Sequence, residues 1–175
     1  MSPRLSVFIA ASLDGYIATP DDKLDWLLAA AGPDEDYGYE EFIATVDAMA
    51  MGRGTYDFVA REDPWPLAGR RVFVFTKDAP EPHDDVTFWS VPIEEAVARW
   101  DEMGLRRVYV DGGRLISSFL ARGLIDEMTV TIAPRLLGRG RPLFHPHERE
   151  TKLRLLGSRA FPSGMVTLRY ERDPG

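Results

Sequence analysis

Arg107-Val108-Tyr109-Val110-Asp111-Gly112-Gly113-Arg114-Leu115-Ile116 is the stretch on which the fold turns. Residues 107–111 have the β-branched and aromatic content of a strand, and residues 115–121 read as a helix. Between them lies a pair of adjacent glycines, which allows backbone geometry closed to other residues and a close approach to a pyrophosphate. Glycine-marked turns at the ends of strand-like apolar runs occur twice upstream. Ala11-Ser12-Leu13-Asp14-Gly15-Tyr16-Ile17-Ala18 ends one apolar run, and Met51-Gly52-Arg53-Gly54-Thr55-Tyr56 ends another. In open α/β sheets ligands bind beyond the carboxyl ends of the strands, so three such turns at one sheet edge build one site. The pattern is that of a nucleotide-cofactor enzyme.

Working outward, residues 5–11 form a mostly apolar run suited to a strand buried on both faces, and 48–51, 71–76 and 86–89 read as further strands. Helical spacing marks 34–46, 54–60 and 93–103, with acidic residues at the start of the first. After residue 127 the pattern changes. Residues 127–134 alternate apolar and polar, and 153–161 and 164–170 are strands joined by Pro162-Ser163-Gly164. Alternating elements followed by strands predict the α/β class: a three-layer sandwich around a mostly parallel central sheet, with an antiparallel C-terminal edge. Residues 136–147 read as a long loop.

The 175 residues suit one domain spanning 1–175, with 45% hydrophobic and 28% charged residues in the ordinary globular balance. A net charge of -7 argues against a nucleic-acid partner, and no apolar run approaches the roughly 18 residues of a membrane span. The N-terminus enters a strand-like run without a signal-peptide pattern, so the cytoplasm is the expected location. The absence of cysteine removes thiolate zinc sites and cysteine nucleophiles. His145-Pro146-His147 has no clear third ligand, so no metal is expected. Charge is uneven: residues 14–63 hold 13 acidic and 3 basic side chains, whereas residues 104–175 hold 13 basic and 7 acidic. A phosphate-bearing ligand would prefer the arginine-rich turns.

In the second turn, Gly52, Arg53, Gly54 and Thr55 offer first-turn amides, a guanidinium and a hydroxyl to a phosphate, although a simple N-cap and turn accounts for the same residues. Thr76 and Lys77 end the next strand, where a hydroxyl and an ammonium could meet a ribose phosphate. Candidate proton-handling groups are the carboxylates Asp14, Asp25 and Asp111, at or near strand ends. Asp14 either caps its turn or takes part in chemistry, and Asp111 serves either the glycine turn or a substrate. Trp26 either covers an apolar ring or plugs the core.

Together these segments resemble the dihydrofolate reductase-like superfamily, and within it the reductase domain of the bifunctional riboflavin-biosynthesis deaminase-reductase and its stand-alone relatives. The motifs that carry the resemblance are Ser12-Leu13-Asp14-Gly15-Tyr16-Ile17-Ala18, Gly52-Arg53-Gly54-Thr55, Asp111-Gly112-Gly113, Leu124-Ile125-Asp126-Glu127 and Ala133-Pro134-Arg135-Leu136-Leu137-Gly138. The resemblance implies a sheet of about eight strands and a homodimeric NADPH-dependent reductase acting on a small molecule. Ala11 and Ile17 would line the nicotinamide. Gly52 to Thr55 and Gly112, Gly113, Arg114, Leu115 and Ile116 would cradle the phosphates, with Thr76 and Lys77 near the 2′-phosphate. Asp111 and Asp14 become the catalytic candidates, and Asp25 and Trp26 the substrate contacts. The paired glycines of the family can adopt a cis peptide, here Gly112-Gly113.

Two departures shape the expected substrate. The helix after Trp26 carries Ala29-Ala30-Ala31 where dihydrofolate reductases place a carboxylate, and Asp111 stands where riboflavin reductases carry glutamate. Reduction of a ribosylamino-pyrimidine is therefore the leading expectation. Dihydrofolate reduction and a non-catalytic NADPH-binding module are the alternatives.

Overall fold

β1 (Arg4–Ser12) lies inside the sheet because both of its faces are covered. Leu5, Val7 and Ala11 enter one hydrophobic cluster, while Phe8 packs against another. The computed structural model describes residues 2–78, 80–81 and 83–173. After β1 come β2 (Tyr16–Ala18), α1 (Asp25–Leu28), α2 (Tyr39–Ile43), β3 (Ala48–Gly52), α3 (Arg53–Val59), β4 (Val72–Phe75) and β5 (Val86–Trp89). The second half contains α4 (Ile93–Glu102), β6 (Arg107–Asp111), α5 (Gly113–Leu120), β7 (Glu127–Ala133), β8 (Arg141–Pro142), β9 (Leu153–Ala160) and β10 (Val166–Arg172).

The main sheet has eight strands in the order β5-β4-β3-β6-β1-β7-β10-β9. The first six run parallel and β10 and β9 are antiparallel, the expected C-terminal edge. On one face α4 and α5 pack through Ile93, Ala96, Trp100, Leu115, Ile116 and Phe119. On the other, α2 and α3 contribute Phe42, Ile43 and Tyr56. These are the three layers. Trp100 is fully buried between Trp89 and Phe119, stacked on each at a centroid separation of 6.1 Å. Burying one such side chain stabilises the fold by about 2–3 kcal/mol.

The helix expected over 34–46 is confined to Tyr39–Ile43. Tyr37 and Gly38 take positive φ values of 57° and 90°, so the chain turns left-handed before the helix begins. The acidic residues ahead of it serve other contacts: the Asp36 carboxylate accepts the Glu40 amide, and Glu35 Oε1 accepts the Ser163 amide at 3.1 Å. Residues 136–147 are not a free loop. Arg141–Pro142 pairs with Tyr16–Ala18 as a second, two-stranded sheet.

Candidate functional site

The site begins where two neighbouring strands part. β1 and β6 pair only from Arg4↔Arg107 to Ser6↔Tyr109. Beyond that level β1 continues against β7 to Ser12↔Ala133, and β6 continues against β3 to Met51↔Asp111. A gap thus opens between the carboxyl ends of β1 and β6, where an open parallel sheet offers its ligand crevice.

The three glycine segments meet beside this gap. A methyl group on Gly112 would overlap the Thr55 hydroxyl, and one on Gly113 would run into the Pro142 carbonyl. The same position lies 3.0 Å from the Leu143 carbonyl oxygen and 3.4 Å from Ile17 Cδ1. The glycine pair is therefore a junction of the first turn, the second turn and the 136–147 segment. Gly112 also has φ 92°, so conformation and contact both exclude a side chain there. The cis peptide expected at Gly112-Gly113 is absent: among the described residues the cis bond is Asp63-Pro64. The positive φ of Gly112 makes the turn without it.

Gly113, Arg114 and Leu115 form the first turn of α5, which no side chain caps. Their amides are among the donors a helix leaves unpaired at its start. Ile116 differs from its neighbours, because its amide already donates to the Gly112 carbonyl at 2.9 Å and its side chain is fully buried. The Leu115 side chain also faces the core. α3 likewise starts without a side-chain cap, and Gly52 and Gly54 face open space. Arg53 Nε donates to Asp57 Oδ1 at 2.6 Å and Nη1 donates to the Asp78 carbonyl at 3.0 Å. The Thr76 hydroxyl donates to that same carbonyl at 2.9 Å, which brings Arg53 and Thr76 together, with Lys77 exposed beside them. Ala11 is 1% exposed, so a ligand would meet its backbone rather than its methyl. Uncapped amides, open glycines and nearby cations are a donor set suited to a phosphate-bearing cofactor.

The strand-end carboxylates have contrasting surroundings. Asp14 accepts the Ser12 hydroxyl at 2.6 Å, the Leu137 amide at 3.1 Å and the Gly138 amide at 2.7 Å. The Ser12 hydrogen bond, helped by these two amides, holds its carboxyl below the usual range. Asp111 accepts the Gly112 amide at 2.8 Å, and the Tyr109 hydroxyl also favours its charged form. Burial outweighs both and pushes its pKa up to about 6. Tyr109, 6% exposed, donates its hydroxyl to the Phe8 carbonyl at 2.6 Å, and burial raises its pKa. Tyr39 of α2 senses the Asp111 charge and packs edge-on against Phe8 at 5.5 Å.

Asp25 is exposed at the start of α1. Trp26 packs against the cluster of Ala30, Ala133 and Met165 at the end of β7, and its indole Nε1 is buried without a hydrogen-bond partner. Sequence reasoning missed Tyr109, which as an aromatic in a strand looks like ordinary core. It also missed the Arg141 fork on Asp22, at 2.7 and 3.0 Å, which joins residues 119 positions apart and engages one of the arginines free to attract phosphate in the sequence reading.

This geometry is the α/β fold of the dihydrofolate reductase type. The dihydrofolate reductase of Enterococcus faecalis, solved with NADP(H) and RAB-propyl, shares the fold at a TM-score of 0.67 and 15% identity, over 97% of this chain and 96% of that one. The chain belongs to the RibD C-terminal domain family, which matches residues 58–167, and so stands among reductases of the riboflavin-biosynthesis type. A crystal structure of a Shewanella sp. PV-4 protein superposes with a TM-score of 0.90 at 36% identity, covering 99% of each chain. The riboflavin biosynthesis protein RibD of Corynebacterium ammoniagenes is 30% identical over 82% of this chain, which spans 47% of that longer protein.

Proposed function

We propose that this protein is an NADPH-dependent reductase that delivers a hydride to a polarised C=N bond of a small heterocycle, with a ribosylamino-pyrimidine as the substrate class. The observation that carries the reading is the convergence of the three glycine turns beside a strand-end carboxyl whose pKa is pushed up to about 6. The uncapped start of α5, with Arg53, Thr55, Thr76 and Lys77, would hold the phosphates. When bound, the reduced nicotinamide supplies the hydride. The chain does the remaining work. The parted β1 and β6 orient the two reactants, Trp26 Nε1 offers its unused proton to a substrate acceptor, and Asp111 holds the proton delivered to the substrate nitrogen. Asp14 positions the 136–138 segment through its amide bonds.

The reading includes a homodimer. β9 is a sheet edge on which Leu153, Leu155 and Leu156 are 41%, 53% and 45% exposed, apolar surface that a second copy would cover.

Fluorescence-detected NADPH binding, followed by oxidation with a panel of aminopyrimidines and pterins, tests the proposal. We expect binding, and oxidation with a ribosylamino-pyrimidine. Binding without turnover on any compound leaves a nucleotide-binding module, oxidation by dihydrofolate alone restores the folate alternative, and no binding overturns the cofactor.

A further inference from the structure

The pairing of β1 with β6 ends at Ser6↔Tyr109, so Phe8 stands about level with Asp111, two residues further along each strand. The Phe8 carbonyl faces the gap and is met by the Tyr109 hydroxyl at 2.6 Å. That hydroxyl has therefore reached along the strand to the level of Asp111, which lies two residues on and so on the same face of β6, and each group influences the ionisation of the other. A tyrosine has a single hydroxyl proton, and two acceptors compete for it here: a backbone carbonyl and a carboxyl that exists in two protonation states.

We propose that Tyr109 is the positioning residue for the Asp111 proton, its hydroxyl donating to the Phe8 carbonyl while Asp111 is protonated and turning to the carboxylate once Asp111 has given its proton away. This rests on the proposed reduction for its chemical use. There the hydride and its electron pair go to the substrate carbon, the Asp111 O–H bond breaks, and its proton goes to the neighbouring nitrogen. A bond to the resulting carboxylate is charge-assisted and stronger than one to a carbonyl, so the swing stabilises the form that appears during the reaction. Without it, burial alone would leave Asp111 a weaker acid.

The other neighbours do not compete for this role. From β3 the partner is Met51, and from the start of α5 it is the Gly112 amide, neither of which titrates. From α2 the titratable group is Tyr39, which in turn feels Arg70 and Asp36. Tyr109 is held in place by its edge-on contact with Phe42 at 5.1 Å, which a phenylalanine would keep.

The test is an infrared titration of the Asp111 carboxyl, identified by subtracting the spectrum of Asp111→Asn, together with the pH profile of kcat. Tyr109→Phe should move the carboxyl midpoint up by about one pH unit, the size of one lost hydrogen bond. Replacing Tyr109 by 3-fluorotyrosine, a better donor of nearly the same shape, should move it down. Tyr39→Phe should leave it in place. An unmoved or lowered midpoint in Tyr109→Phe, or an equal upward shift in Tyr39→Phe, overturns the assignment. If the infrared midpoint shifts while the kcat profile does not, Tyr109 still governs the proton and it is the catalytic use of Asp111 that fails.

Discussion

The first and third glycine turns are built from the same letters, Asp14-Gly15 and Asp111-Gly112, each at a strand end, yet their carboxylates are opposite in character. Asp14 is exposed, surrounded by three donors and held low. Asp111 has the Gly112 amide and a tyrosine hydroxyl against a large desolvation, and its pKa rises to about 6. Burial against donor supply decides the chemistry, not residue type or motif. One turn uses its carboxylate as a fastening, and the other leaves its carboxyl easier to protonate.

The largest expected break in this comparison is Asp111→Asn. Removing the proposed proton donor should lower kcat about a hundredfold while NADPH affinity stays near normal, measured by steady-state kinetics and fluorescence titration. Equal loss of both would assign Asp111 to the cofactor. The same variant should be more stable than the parent at pH 8. A carboxyl with a folded pKa of about 6 and an unfolded one near 3.8 costs stability as pH rises through that window, and the cost is complete above it. Asparagine escapes it, so thermal or denaturant melts should show a gain of about 3 kcal/mol at pH 8 that vanishes below about pH 4.

The glycines sharpen the contrast at a similar scale. Gly113→Ala forces a methyl into the Pro142 and Leu143 carbonyls and should cost about 3 kcal/mol. Gly15→Ala meets nothing within 4 Å and should cost only about 1 kcal/mol for its φ of 87°. Equal losses in urea melts would show that conformation, not contact, fixes both turns. The smallest effect belongs to Asp14→Asn. Its contribution is present above the unfolded pKa near 3.8 and is lost as pH falls through the lowered folded value. The variant should therefore melt below the parent at neutral pH and converge with it in acid, with only a few-fold change in KM. A collapse of kcat comparable to that of Asp111→Asn would place Asp14 in the chemistry.

Much of this was legible in the sequence because the signals are local. The runs 48–51, 71–76 and 107–111 are short, apolar and bounded by turn residues, so the parallel sheet could be read one strand at a time. The convergence at Gly112-Gly113 followed from placing three turns at one sheet edge. Other features were not legible for the same reason in reverse. The pairing of Tyr16–Ala18 with Arg141–Pro142 depends on Asp14 and Asp22 reaching partners 119 to 124 positions away, and nothing within the 136–147 segment announces it. The helix over 34–46 had the right spacing but included Tyr37-Gly38, whose left-handed backbone ends it early. Asp111 was legible from sequence as a carboxylate at a strand end, but its elevated pKa depends on burial, which no spacing rule reports.

The short pairing of β1 with β6 also has a mechanical consequence. It divides the eight strands into two half-sheets of four, β5-β4-β3-β6 and β1-β7-β10-β9, seamed through three residue pairs. At the base of the seam the Arg107 guanidinium spans from the Thr45 hydroxyl at 2.5 Å and the Ser6 hydroxyl at 3.0 Å to the Glu127 carboxylate, which also takes Arg4 at 2.9 Å. The sheet is thus built like a pair of tweezers, riveted by charge at one end and open at the other, with fewer residue pairs across the seam that ends at the gap beside Asp111 than across any other seam of the eight strands.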